Sequence, residues 1–121
     1  MKKQVLLVED TKLLAASIAD ILIMEGFEVT IAENGKDALQ IIKNHPIDIV
    51  ITDIVMPEMD GITFVKFVRA QAHLVGIPII VLSAKVFNAQ EQEEKAGGAD
   101  LFIQKPCDLE FLVSSITRLI K

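Results

Sequence analysis

Two short runs, Ile47–Thr52 and Ile79–Leu82, are apolar at nearly every position and rich in Ile and Val. A strand that meets water on one face alternates apolar with polar residues, so a nearly unbroken apolar strand must be covered on both faces. A parallel sheet with helices on each side meets that demand. Val5–Val8, Val29–Ile31 and Leu101–Ile103 are the other strand candidates. Between the strands, apolar residues recur at helical spacing. Leu14, Ile18, Ile21 and Leu22 mark a first helix, and Ala38, Leu39, Ile41 and Ile42 a second. Phe64, Val65 and Val68 mark a third; Leu109, Leu112, Val113, Ile116 and Leu119 mark a fifth. A fourth, about Ala89–Ala96, is the most polar of the set.

The punctuation fits. Gly26 follows the first helix as a C-terminal cap, and Asn34-Gly35 turns into the second. His45-Pro46 stops that helix, because the residue before proline avoids helical angles. Gly76 and Pro78 separate the third helix from the fourth strand. Five β–α units with short connections give an α/β fold with a doubly wound, five-stranded parallel sheet. With 121 residues the chain is expected to form one domain, 1–121.

A net charge of −5 argues against nucleic-acid contact by this domain, since phosphate backbones are bound by an excess of Lys and Arg. The single cysteine, Cys107, cannot form an internal disulfide, which fits a reducing compartment. No apolar run approaches the roughly 20 residues that span a bilayer. The expectation is a soluble, cytoplasmic protein without membrane contact.

Ligands of open α/β sheets bind beyond the carboxyl ends of the strands, where the winding reverses. Glu9 and Asp10 follow the first strand, Asp53 the third, Ser83 the fourth and Lys105 the fifth. Three carboxylates brought together repel one another and call for a cation. A hard divalent ion with oxygen ligands suits them, and Mg²⁺ commonly takes one or two carboxylates plus phosphate oxygens. Lys105 adds a compact positive charge and Ser83 a hydroxyl donor, enough to hold a phosphoryl group. The residues therefore point to Mg²⁺ and phosphate, with one aspartate as nucleophile.

Val8-Glu9-Asp10, the stretch from Asp53 through Met56-Pro57 to Asp60-Gly61, Ser83-Ala84, Gly98-Ala99-Asp100 and Lys105-Pro106 together resemble the response-regulator receiver family of two-component signalling (the CheY-like superfamily). The resemblance covers essentially the whole chain. It implies a flavodoxin-like sheet of order 2-1-3-4-5 flanked by five helices. It further implies that Asp53 is the phosphoacceptor and a Mg²⁺ ligand, with Asp10 a second ligand, Glu9 a ligand through water and Val55 a ligand through its backbone carbonyl. Ser83 and Lys105 would bind phosphoryl oxygens, and Phe102 would be the switch aromatic that swings when Ser83 moves. The Lys105–Pro106 bond matches the family's cis peptide. The phosphoryl donor would be a histidine kinase or histidine phosphotransfer protein. The output would pass through the face of helix four, strand five and helix five to a downstream protein or a C-terminal output domain. Thr11, Lys12, Ala15 and Ala16 are candidates for kinase recognition on the same grounds. By resemblance the chain is a signalling phosphoacceptor with slow autodephosphorylation, not a turnover enzyme.

Rival readings compete at each point. A phosphatase of haloacid-dehalogenase type also uses Asp, Mg²⁺, a hydroxyl and Lys, but typically carries a second Asp two residues after the nucleophile, where Val55 stands here. A binding module that never takes phosphate would keep the same fold. Phe102 alone would be a core or edge aromatic, and His45 and His73 lack partners at metal-ligand spacing. The sequence fits both a stand-alone receiver and the N-terminal part of a longer regulator.

Overall fold

The computed structural model describes residues 2–54, 61–71, 76–83, 99–105 and 108–120. The strands are β1 (Gln4–Val8), β2 (Glu28–Ala32), β3 (Ile49–Asp53), β4 (Ile79–Ser83) and β5 (Leu101–Gln104). They form one parallel sheet in the order β2-β1-β3-β4-β5. The helices among the described residues are α1 (Lys12–Met24), α2 (Gly35–Asn44), α3 (Gly61–Ala70) and α4 (Leu109–Leu119). The helix expected at about 89–96 lies outside the described residues, as do Val55 and Pro106.

The pleat sorts the strand residues into two cores. Leu6, Val8, Val50, Ile79 and Val81 pack with Ala38, Leu39 and Ile42 of α2 and with Phe64, Val65 and Val68 of α3. Val5, Leu7, Ile49, Ile51, Ile80 and Leu82 pack on the other side with Ala15, Ile18 and Leu22 of α1 and with Leu112 and Ile116 of α4. Residues of β1, β3 and β4 are thus buried on both faces, which is why these strands lack alternation. Each large side chain fully buried in this way contributes about 1.5–3 kcal/mol through removal from water. Edge strand β2 is only partly covered, and its Glu28 and Thr30 face solvent.

The helix ends follow local chemistry. Gly26 has φ +97°, a left-handed conformation that glycine adopts without a Cβ clash. The Asn34 side chain accepts the Asp37 N–H at 2.8 Å and caps α2. His45 is extended at φ −134° and ends the same helix. Asp108 caps α4, its carboxylate accepting the Glu110 N–H at 2.9 Å.

At the end of the sheet opposite the candidate site, Arg69 and Asp100 form a clamp. Arg69 donates to the Ile77 carbonyl at 2.6 Å and to Asp100 at 2.8 Å. Asp100 also accepts the Ile79 N–H at 2.7 Å. This ties the end of α3 to the starts of β4 and β5. The Gly98-Ala99-Asp100 segment singled out in the sequence thus contributes a carboxylate that anchors a strand.

Candidate functional site

From β1 the chain crosses to β2 on one side and later to β3 on the other, so the winding reverses between β1 and β3. Parallel strands open a crevice at their carboxyl ends at such a point. Val8 pairs with Thr52, so Glu9 and Asp53 come level at the mouth of this crevice. Asp53 pairs with Leu82 and Leu82 with Ile103, which places Lys105 two residues further along β5's course on the pleat it shares with Ile103. Register thus brings Glu9, Asp53 and Lys105 to one face of the sheet edge.

The side chains meet. Lys105 Nζ donates to Glu9 Oε1 at 3.0 Å and to Asp53 Oδ2 at 2.9 Å. The Ile54 N–H donates to the other carboxylate oxygen of Asp53, Oδ1, at 2.8 Å. The Thr11 N–H, at the head of α1, donates to Glu9 Oε2 at 3.1 Å. Glu9, Asp10 and Asp53 each offer a carboxylate oxygen, and these oxygens lie within 4.8 Å of one another. Lys105 is paired with two of the three carboxylates, and the cluster keeps a net negative charge.

Burial sets the electrostatics. The Glu9 side chain is 1% exposed, Asp53 14% and Lys105 20%, while Asp10 is exposed. Burial pushes Glu9 above the ordinary carboxylate range; the Lys105 and Thr11 hydrogen bonds oppose the rise without cancelling it. For Lys105, burial works against the charged form, but hydrogen bonds to Asp53 and Glu9 outweigh it and hold the ammonium above its ordinary value. An all-oxygen donor set with surplus negative charge fits a hard divalent cation such as Mg²⁺.

The remaining candidates fall as follows. Asp53 and Ser83 are the last residues of β3 and β4 and lie inside the ladder, not in the loops after it. Ser83 is buried, and alternation along β4 puts it on the pleat of Ile79 and Val81, opposite that of Asp53. The Lys105 N–H donates to the Ser83 carbonyl at 2.6 Å, joining the ends of β5 and β4. Phe102 is half-buried against the α2–α3 core. Val55 and the Lys105–Pro106 bond involve positions outside the described residues. On α1, Thr11, Lys12 and Ala16 are exposed, but Ala15 is not, at 2%. Residue 15 shares its helix face with Ile18, Ala19 and Leu22, so it packs inward and cannot touch a partner. Leu13, 83% exposed, was not picked out from the sequence; its solvent position follows from the same helix phase.

Comparison with known proteins gives the same picture. The sequence profile described as the response regulator receiver domain matches residues 5–117. The chain is 37% identical over 120 residues to the probable transcriptional regulator ycf29 of Porphyra purpurea, covering 99% of this chain and 57% of that protein. The chain thus spans little more than half of that relative's length. The chemotaxis response regulator CheY4 of Vibrio cholerae superposes with a TM-score of 0.90 at 33% identity, covering 98% of this chain and 99% of that one. The response regulator TrrA of Thermotoga maritima, in complex with Mg²⁺–BeF, superposes with a TM-score of 0.85 at 27% identity, covering 97% of this chain and 98% of that one.

Proposed function

The chain belongs to the response regulator receiver domain family, and on that premise we propose that residues 1–121 act as a single Mg²⁺-dependent phosphoacceptor domain. The phosphoryl group comes from a histidine kinase or a histidine phosphotransfer protein and lands on Asp53. The observation that carries this reading is the convergence of Glu9, Asp10 and Asp53 within 4.8 Å, with Lys105 bonded to two of them.

In the transfer an Asp53 oxygen attacks phosphorus as the phosphorus–nitrogen bond of phosphohistidine breaks, and the imidazole leaves with a proton taken from water. The Ile54 N–H holds one Asp53 oxygen and so orients the other. Lys105 already sits on Asp53 Oδ2 and would follow the negative charge onto the incoming phosphoryl oxygens. Ser83 would donate its hydroxyl to another of them. Asp10 and Asp53 would hold Mg²⁺ directly, Glu9 through water and Val55 through its carbonyl. The ion supplies neutralisation of the phosphoryl charge; the Mg²⁺–BeF complex of the TrrA relative supports this part of the reading.

Movement of Ser83 toward the phosphoryl group would give Phe102 room to turn inward and bias a two-state equilibrium of the surface around β5 and α4. A downstream protein or a C-terminal output domain would read that surface. The domain would make no nucleic-acid or membrane contact of its own and would work in the cytoplasm; no helix among the described residues is long and apolar enough to cross a membrane.

The test is incubation with acetyl phosphate, with and without Mg²⁺, followed by intact mass, with Asp53→Asn as control. A phosphoryl mass gain that needs both Mg²⁺ and Asp53 is expected. No gain in folded wild-type protein, with acetyl phosphate or phosphoramidate, would refute the reading.

A further inference from the structure

We propose that Thr52 is a positioning residue for phosphorylation: its hydroxyl locks the Asp53–Ile54 peptide plane, and that plane fixes which Asp53 oxygen is held by the backbone and which is turned toward Lys105. The inference rests on Asp53 being the phosphoacceptor.

Thr52 is fully buried, a hydroxyl in a strand otherwise apolar up to Asp53. Its Oγ1 donates to the Asp53 carbonyl oxygen at 2.9 Å. The other polar end of that same peptide is the Ile54 N–H, which donates to Asp53 Oδ1 at 2.8 Å. A trans peptide points its C=O and N–H in opposite directions. Successive side chains of a strand also point to opposite faces. One peptide unit is therefore gripped from both faces of the sheet edge, by Thr52 on the α2–α3 side and by Asp53 on the α1–α4 side. Rotating it about the Asp53 backbone would break both bonds.

The consequence falls on the Asp53 carboxylate. With Oδ1 held by Ile54, Oδ2 is presented to Lys105 at 2.9 Å. The two oxygens are made different before any ligand arrives. A hydrogen bond to the carbonyl also polarises the peptide and strengthens its N–H as a donor. Without the hydroxyl, the peptide at the strand end loses one of its two restraints. The carboxylate then samples orientations in which neither oxygen is aligned for attack. In-line positioning is most of what phosphoryl transfer asks of a protein, so the loss should appear in the transfer rate.

The second pleat adds a reason for Thr in particular. Thr52 pairs with Val81, and Val81 with Phe102, so all three lie in one row on the α2–α3 side. The side chain is fully buried on that pleat, and its hydroxyl turns back to the strand. Serine keeps the donor and loses only the methyl; valine keeps the shape and loses the donor.

The experiment compares wild type, Thr52→Val and Thr52→Ser. The rate of Mg²⁺-dependent phosphorylation is measured across acetyl phosphate concentrations, and the Ile54 amide is followed by NMR without metal or phosphodonor. A net intramolecular hydrogen bond corresponds to a change of about five- to tenfold. Thr52→Val is expected to lower the saturating rate by about that factor with little change in donor KM, and to give faster exchange and an upfield shift of the Ile54 amide proton. Thr52→Ser should restore the rate to within about twofold. An unchanged rate and an unchanged Ile54 amide in Thr52→Val overturn the proposal. If wild type takes no phosphoryl group, the phosphoacceptor reading fails, and the Ile54 response in unliganded protein still distinguishes that failure from failure of the lock. If Thr52→Val does not fold, the wild-type Thr52 hydroxyl proton decides. Scalar coupling to the Asp53 carbonyl carbon supports the lock, and rapid exchange without coupling overturns it.

Discussion

Replacing Asp10 by Asn should make the metal-free protein more stable, an unusual outcome for a site residue. The carboxylate oxygens of Glu9, Asp10 and Asp53 lie within 4.8 Å of one another. At an effective dielectric of about 20, two unit charges at that distance repel by about 3.5 kcal/mol. Asp10 is exposed, so solvent screening reduces each repulsion to about 1 kcal/mol, or about 2 kcal/mol for its two neighbours. Two terms work the other way. Asp10 stands just ahead of α1, where the helix dipole favours a negative charge by about 0.5 kcal/mol. Lys105 attracts it from across the cluster by roughly the same amount. The net is about 1 kcal/mol of stabilisation for Asp10→Asn, or about 4 °C in Tm for a domain of this size. Thermal and urea unfolding in EDTA would measure it, with Asp20→Asn on the solvent face of α1 as a neutral control. Adding Mg²⁺ should reverse the ranking. At ten times Kd, bound metal stabilises wild type by about 1.4 kcal/mol, and Asp10→Asn should lose most of that gain. An Asp10→Asn protein no more stable than wild type in EDTA would refute the charge reasoning.

Lys105→Met should destabilise the metal-free protein by about 2–3 kcal/mol in urea unfolding, because it leaves Glu9 buried beside Asp53 without its cation. Because folding raises the Lys105 pKa, the unfolded chain releases that proton first. The stabilisation is therefore complete below the ordinary lysine range and is lost as pH climbs through and beyond it. The stability difference between wild type and Lys105→Met, followed toward alkaline pH, should shrink across that window. Asp100→Ala should cost about 1–2 kcal/mol by urea unfolding, since it strips the Ile79 N–H and Arg69 of a shared acceptor. A double-mutant cycle with Arg69→Ala should show coupling. Phe64→Ala, which empties a fully buried site under the sheet, should cost about 3–5 kcal/mol in the same assay.

The parts of this molecule that could be read from sequence are those fixed by local rules. The near-continuous apolar runs at Ile47–Thr52 and Ile79–Leu82 implied central strands, and β3 and β4 are indeed buried on both faces. Asn34, His45 and Gly26 marked helix ends because each residue type suits one backbone geometry. The acidic residues and Lys105 were identified because polar groups at successive strand ends must share one edge of a parallel sheet. What escaped depends on partners far apart in the chain or on rotational phase. Arg69 and Asp100 are 31 positions apart, and nothing local in either pairs them. Ala15 looked available for docking until the phase of α1 turned it inward with Ile18 and Leu22. Thr52 was absorbed into an apolar run, although a lone hydroxyl there needs a hydrogen-bond partner once buried.

Pleat parity explains why so few residues suffice. Glu9, Asp53 and Lys105 occupy one parity of their strands, and Lys105 joins the other two. Thr52, Val81 and Phe102 share the opposite parity, with Ser83 above Val81. The charge cluster and the proposed switch residues are therefore on opposite faces of one sheet edge, and backbone can carry a signal between them alongside the Ser83 hydroxyl. Among the described residues, two backbone links join residues of opposite pleat at this edge. One is the Lys105 N–H on the Ser83 carbonyl at 2.6 Å; the other is the Asp53–Ile54 peptide, held by Thr52 on one side and by the Asp53 carboxylate on the other. A phosphoryl group on Asp53 must alter the second, because the oxygen that Ile54 holds belongs to the carboxylate being modified. Phosphorylation should thus appear in the Ile54 amide and the Thr52 hydroxyl no later than in Phe102. A time-resolved NMR series in which Phe102 responds while Ile54 stays still would contradict that order.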